Sequence, residues 1–103
     1  MGKQQDLNSL AISVGNTAAH KIILQKTNKP DSKNHLSAEI RDYSFDAFSK
    51  SQKHKWNKED IERLRNKAEY IAKRFLKRYP DIKYQERETK ESVTDTMQEL
   101  LLI

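Results

Sequence analysis

Apolar residues in the first quarter of the chain recur at the spacing of an α-helix. They lie three or four positions apart, with one adjacent pair, and so fall on one face of a helix: Leu7, Leu10, Ala11, Val14, Ala18 and Ile22. Gly15 and Asn16 both weaken a helix interior, yet the apolar face keeps its phase across them. The pattern predicts one helix over about residues 5–27. Its small residues, among them Gly15 and Ala19, would let a neighbouring helix approach closely.

A loop and a second amphipathic helix follow. In the segment TNKPDSKN, Asn28 can end a helix, Pro30 cannot continue one, and Asp31 or Ser32 can cap the next. The second helix is predicted over about residues 32–52. Its inward side chains are predicted to be Leu36, Ile40, Tyr43, Ala47 and Phe48, whereas Phe45 lies off that face.

The third helix, predicted over residues 57–79, has the clearest start in the chain. Asn57 is a natural N-cap, and acidic residues follow it in the first turn, where the helix dipole favours negative charge. Trp56 and Ile61 have the spacing of a hydrophobic staple, and Pro80 stops the helix. Its apolar face comprises Ile61, Leu64, Ala68, Ile71, Ala72, Phe75, Leu76 and Tyr79.

A shorter helix is predicted over about residues 89–102, with Thr89 or Ser92 as its cap and Val93, Met97, Leu100 and Leu101 on its apolar face. No segment alternates apolar and polar residues at the two-residue period of a strand for more than a few positions. The 103 residues therefore predict a single all-α domain, a small bundle of three main helices plus a shorter C-terminal helix.

Composition narrows the class of protein. Hydrophobic residues make up 35% of the chain and charged residues 34%, so the core must be small, and oligomerisation is one source of extra stability. The absence of cysteine excludes disulfides, thiolate zinc sites and cysteine nucleophiles. No apolar run approaches the roughly 18 residues of a membrane span, and the N-terminus lacks the apolar core of a signal peptide. We therefore expect a soluble, cytoplasmic protein without a membrane partner.

Charge is distributed unevenly along the chain, whose net charge is +5. Residues 53–80 carry ten basic and four acidic side chains, whereas residues 81–103 carry three basic and six acidic ones. Within the third helix, five cations fall on the side opposite the apolar face, and Tyr70 lies among them. We name these five cations the basic stripe: Arg63, Lys67, Arg74, Lys77 and Arg78.

The basic stripe has a functional and a structural interpretation. Arginine and lysine neutralise phosphates and Tyr70 can stack on a base, so the stripe could bind a nucleic-acid backbone, extended by Lys53, Lys55 and Lys58. Alternatively, the charges only solubilise the helix, with Glu59–Arg63 and Glu69–Lys73 as i,i+4 pairs and the acidic C-terminal segment packed across them. No known DNA- or RNA-binding motif decides between the two.

A second candidate surface is apolar. The aromatic residues Trp56, Phe45 and Tyr84, together with the end of the chain, offer more apolar surface than one small helical layer obviously hides. They either fill the core or form a face for self-association or for a protein partner. The partner-binding residues predicted on this basis are Trp56, Leu100, Leu101, Leu102 and Ile103.

Signals for catalysis are weak. His20, His35 and His54 lie in three different segments without the spacing of metal ligands, and a lone helical histidine is usually partly exposed or hydrogen-bonded. There is no glycine-rich phosphate loop and no nucleophile elbow. We therefore expect no enzyme, metal or cofactor. The sequence predicts a small non-enzymatic binding protein, and the leading hypothesis is that the basic stripe contacts nucleic-acid phosphates. The alternative is a protein–protein adaptor or small regulatory, antitoxin-like subunit that docks through the apolar surface near Trp56 and the C-terminal helix. An enzyme using histidine or carboxylate chemistry comes third.

Overall fold

The chain folds into four α-helices in a computed structural model that describes residues 2–103. They are α1 (Lys3–Lys26), α2 (Pro30–Ser51), α3 (Lys58–Leu76) and α4 (Glu86–Glu99), and no strand occurs among the described residues. The prediction of an all-α chain with four helices is confirmed. No helix in residues 2–103 combines the length and the apolar character needed to cross a membrane.

The helix ends differ from the predicted ends by up to three residues. Both α1 and α2 begin two residues early, and α2 begins at Pro30, with Lys29 as an N-cap that makes no side-chain capping bond. Proline suits the first helical position because its missing N–H would have no partner there. At the other end, α3 stops at Leu76 and residues 77–78 form a turn.

The last helix begins at Glu86, three residues earlier than predicted. Its N-cap is Gln85, whose backbone N–H donates to Glu88 Oε1 over 3.3 Å. The predicted caps, Thr89 and Ser92, are instead buried inside the helix. Their hydroxyl groups donate to the carbonyl oxygens of Glu86 and Ala18, respectively. The helix begins earlier because Gln85 and Glu88 form a capping box ahead of both predicted caps.

The first helix lies at the centre of the fold. It packs against all three other helices, and α3 also packs against α4. By contrast, α2 packs against α1 and has no close backbone approach to the other described helices. Salt bridges and hydrogen bonds between α1 and its neighbours show that α3 runs parallel to α1, whereas α2 and α4 run antiparallel to it.

The core follows the predicted apolar faces, with three exceptions. Leu101, predicted on the apolar face of the last helix, is 84% exposed, because α4 ends at Glu99. Phe48, predicted to face inward, is 46% exposed, because α2 packs on a single helix and so buries only a narrow strip. Tyr79, also predicted inward, is 38% exposed, because α3 ends before it. Phe45 is 74% exposed, which confirms that it lies off the inward face of α2.

Candidate nucleic-acid interface

The start of α3 is held by a reciprocal pair of hydrogen bonds. The backbone N–H of Asp60 donates to Asn57 Oδ1 over 2.8 Å, and the backbone N–H of Asn57 donates to Asp60 Oδ2 over 3.0 Å. Lys3 of α1 forms a salt bridge with the same carboxylate, and its hydrogen bond is the main reason that the pKa of Asp60 is lowered. These bonds fix the helix that carries the basic stripe.

All five cations of the basic stripe are exposed, and Tyr70 among them is 62% exposed. Arg63, Lys67 and Arg74 belong to α3 itself. Lys77 and Arg78 lie in the turn after it, where their backbone N–H groups still bond carbonyl oxygens of the last helical turn. The guanidinium of Arg78 lies 5.5 Å from the centroid of the Phe75 ring. The predicted stripe therefore continues past the end of the helix.

The cations of the basic stripe make no salt bridge with any residue in the range 2–103. The i,i+4 pairs expected from the sequence, Glu59–Arg63 and Glu69–Lys73, are likewise not formed among these residues. Lys67 donates to a neutral acceptor, Asn8 Oδ1 of α1, over 2.8 Å. The stripe is therefore a row of positive charge with no neighbouring carboxylate bonded to it.

The acidic C-terminal segment packs against other cations instead. Glu86 bonds Lys73 over 2.6 Å, and this hydrogen bond raises the pKa of the lysine and lowers the pKa of the carboxyl. Glu88 and Glu99 of α4 pair with lysines of α1, at Lys26 and Lys21, respectively. Glu86 therefore pairs with a cation of α3 outside the stripe, and Glu88 and Glu99 pair with α1, so these carboxylates neutralise charge without bonding the stripe.

The predicted extension of the stripe, Lys53, Lys55 and Lys58, is exposed in the segment that leads into α3. Trp56 in the same segment is half-buried against the core. Its indole N–H donates to the carbonyl oxygen of Ser51 over 2.9 Å, and the ammonium of Lys3 lies 5.8 Å from its ring centroid. Trp56 therefore fastens the segment to the body of the protein and keeps part of its surface accessible.

The apolar end of the chain is divided between core and solvent. Leu100 is buried, and Leu102 packs against the core. Leu101 is 84% exposed and Ile103 is 45% exposed. Of the four C-terminal residues predicted to bind a partner, these last two are the ones most accessible to it; the partner itself stays a prediction.

The histidines are each bonded to a carboxylate. His20 is buried, with Nδ1 2.6 Å from the carbonyl oxygen of Asn16 and Nε2 2.5 Å from Glu39 Oε2. The exposed His35 pairs with the same Glu39, and His54 Nε2 lies 2.5 Å from Asp6 Oδ2. Within residues 2–103, no group of three or more histidine, aspartate or glutamate side chains is arranged to hold a metal ion.

The sequence did not reveal a cavity of about 620 Å³ beyond the end of the basic stripe. We call it the end cavity. It is open to solvent on one side and is lined by the end of α1 and the loop after it, by the first turns of α2, and by residues 78–82. Because these segments are far apart in the chain, no local pattern could have predicted it.

Comparisons with protein-family models, with curated proteins and with solved structures found no match to this chain, so the function is argued from its own residues.

Proposed function

We propose that this protein is a small, non-enzymatic, cytoplasmic helical-bundle protein that binds nucleic-acid phosphates through the basic stripe. The observation that carries the proposal is that the stripe's five cations are exposed and form no salt bridge among residues 2–103, although carboxylates elsewhere in the fold are paired. Intrahelical pairs would have stabilised α3 by only a few tenths of a kcal/mol each, and without them the five cations are accessible to phosphates.

The proposed binding is electrostatic and independent of base identity along the stripe. Arg63, Lys67 and Arg74 recur at helical spacing on one side of α3, and Lys77 and Arg78 continue the row in the following turn. Each cation that neutralises a phosphate releases a bound counterion, so affinity falls steeply as salt rises. Tyr70, exposed within the row, is placed to stack on a base or to bond a phosphate.

The experiment measures fluorescence anisotropy of labelled oligonucleotides at several NaCl concentrations. If the five cations each contact a phosphate, log K against log[NaCl] has a slope of roughly −4, which is a loss of about two orders of magnitude between 50 and 200 mM salt. The triple variant Lys67→Glu, Arg74→Glu, Arg78→Glu abolishes binding, whereas its helical circular dichroism signal stays intact because all three side chains are exposed.

A charge-matched variant controls for net charge. The control is the triple variant Lys33→Glu, Arg41→Glu, Lys90→Glu, which reverses three exposed cations outside the stripe. It should keep most of the affinity for the oligonucleotides. Equal losses in the two triple variants would mean that the protein attracts nucleic acid through its net charge and not through the stripe. Absence of binding at low ionic strength would exclude the proposal.

A second proposal, docking of a protein partner near Trp56 and the chain end, is supported by the exposure of Leu101 and Ile103. Replacing both with serine removes the accessible apolar surface and leaves the buried Leu100 in place. If they bind a partner or a second copy, the complex observed by light scattering dissociates in the double variant. A wild-type protein that is monomeric and captures no partner would leave this second proposal without support.

A further inference from the structure

The end cavity has an apolar floor and a charged rim. Ile23 of α1, Leu36 of α2 and Ile82 contribute apolar side chains, and Tyr79 adds an aromatic ring that is 38% exposed. That ring is also stacked on Phe75, with 5.6 Å between the centroids. A volume of about 620 Å³ is within the range of small-molecule sites and is ample for one nucleotide.

Charges of both signs lie on the rim. Lys29 and Arg78 are basic, Asp31 and Asp81 are acidic, and none of the four forms a salt bridge within the described part of the chain. The charges of these four groups cancel, so they offer no net attraction to a free phosphate. A neutral planar group with both donors and acceptors on its edge, such as a nucleobase, suits this rim: carboxylates accept from amino groups, and arginine donates to carbonyl oxygens and ring nitrogens.

Arg78 joins the cavity to the basic stripe, because it is the last cation of the stripe and also lines the cavity. A strand whose phosphates follow the stripe would therefore reach the cavity at its end. Tyr79, the next residue, is placed to stack on a base there, since its ring is partly exposed and held by Phe75.

We propose that the end cavity holds one unpaired nucleobase of a single-stranded nucleic acid whose phosphates lie on the basic stripe. This inference rests on the proposed function and adds the class of ligand. A base inside a duplex is stacked and has its pairing edge occupied, so only an unpaired base can enter a cavity and present that edge to its rim. Asp31 and Asp81 would accept from the exocyclic amino group of cytosine, which thymine and uracil lack.

The test uses labelled oligonucleotides of about 12 nucleotides, a length within the site sizes of single-strand binders. The ligands are all-cytosine and all-thymine DNA, the all-cytosine and all-uracil RNA counterparts, and a mixed-sequence strand alone and in duplex form. We expect the single strand to bind more tightly than the duplex, and cytosine to be preferred to thymine or uracil by roughly fivefold or more. Comparing the all-cytosine RNA with the all-cytosine DNA identifies which type of nucleic acid binds more tightly.

Two variants test the rim and the ring separately. The double variant Asp31→Asn, Asp81→Asn should lose the cytosine preference and keep the salt dependence of binding. The control is Asp42→Asn, which changes an exposed aspartate of α2 away from the cavity. It should keep both the cytosine preference and the salt dependence. Tyr79→Leu weakens binding of every single strand several-fold and leaves duplex binding unchanged. Because these variants differ in site and chemistry, a folding defect in one still leaves the other as a test.

The outcomes separate the two proposals. Salt-dependent binding that is equal for cytosine and thymine and equal for single strand and duplex would overturn the cavity inference and leave the stripe proposal standing. If no oligonucleotide binds at about 50 mM salt, both proposals fail.

Discussion

Gly15 lies where α1 and α3 approach each other closely. A Cβ atom built at this position would lie 2.6 Å from Ile71 Cβ, 2.7 Å from Ile71 Cγ2 and 2.8 Å from the carbonyl oxygen of Ala68. Such distances are far inside van der Waals contact, and two of the atoms belong to the backbone or lie next to it. The sequence predicted a close helix approach over the small residues of α1, but the partner helix could not be named from spacing alone.

We expect Gly15→Ala to destabilise the protein, although alanine is the better helix former by about 1 kcal/mol. Overpacking against α3 costs about 1 to 3 kcal/mol, because the helices must move apart along their contact. Urea unfolding followed by circular dichroism measures the difference. Gly2→Ala adds the same methyl group where no heavy atom lies within 4 Å and should cost less. A Gly15→Ala protein at least as stable as wild type would show that this contact can relax freely.

His20 illustrates a residue whose surroundings the sequence could not predict in full. A lone helical histidine is usually partly exposed or hydrogen-bonded; His20 is fully buried and bonded at both ring nitrogens. Its ring also lies 5.1 Å from the ring of Tyr43 and 4.7 Å from that of Phe75, measured between centroids. Asn16 is one turn away in sequence, but Glu39, Tyr43 and Phe75 come from two other helices, so only packing brings them together.

The start of α3 shows how much one local signal can determine. Asn57 was predicted as the N-cap, and it both accepts from and donates to Asp60. Asn57→Ala should therefore lower the free energy of unfolding by about 0.5 to 2 kcal/mol, because the first turn loses its side-chain acceptor. Asn66→Ala, an exposed change within the same helix, is the control and should be neutral or slightly stabilising. Equal stability of the two variants would show that the cap contributes little.

The second helix is held less firmly than the others. It packs on α1 alone and buries only Leu36, Ala47 and Ser51, whereas α1 is buried along most of its length. Polar contacts supply much of its attachment: Ser13 donates to Asp46 Oδ2 over 2.6 Å, and Lys50 bonds both of these residues. A helix with few buried apolar contacts opens locally at a lower free energy.

Hydrogen exchange followed by NMR tests this difference. We expect the amides of α2 to exchange faster than those of α1, with protection that falls well below the global free energy of unfolding. The amides of α3 serve as an internal reference, since α3 packs on two helices. Equal protection of α1 and α2 would contradict a locally opening α2 and imply that the four helices unfold as one unit.

The fold as a whole should be sensitive to acid. Side-chain hydrogen bonds lower the pKa of five carboxyls in the folded protein: Asp6 through His54, Asp46 through Lys50 and Ser13, Asp60 through Lys3, Glu86 through Lys73 and Glu88 through Lys26. The folded chain binds protons at these carboxyls less readily than the unfolded chain does. Their stabilising contribution is therefore present above the ordinary carboxyl pKa values and is lost as the pH falls below them.

Urea unfolding at a series of pH values measures this effect. We expect the free energy of unfolding contributed by these carboxyls to be complete above about pH 5 and to fall steadily below about pH 4.5. Asp6→Asn removes one of the five groups and should make the acid loss shallower. Asp95→Asn, an exposed change with no salt bridge within residues 2–103, should not alter the slope. A stability that rises on acidification would contradict the assigned pKa directions.

The spacing of apolar residues, the caps and the prolines predicted four helices and most of their inward faces, because each of these signals acts within one or two helical turns. The same local signals placed Arg63, Lys67, Arg74, Lys77 and Arg78 on the outside of α3. They could not tell which cations would find carboxylates, since the partners of Lys73, Lys26 and Lys21 lie on α4. The packing of α4 decided that its carboxylates pair with these lysines and not with the basic stripe, and the meeting of three distant segments formed the end cavity. Both depend on contacts between residues remote in the chain, which no local pattern encodes.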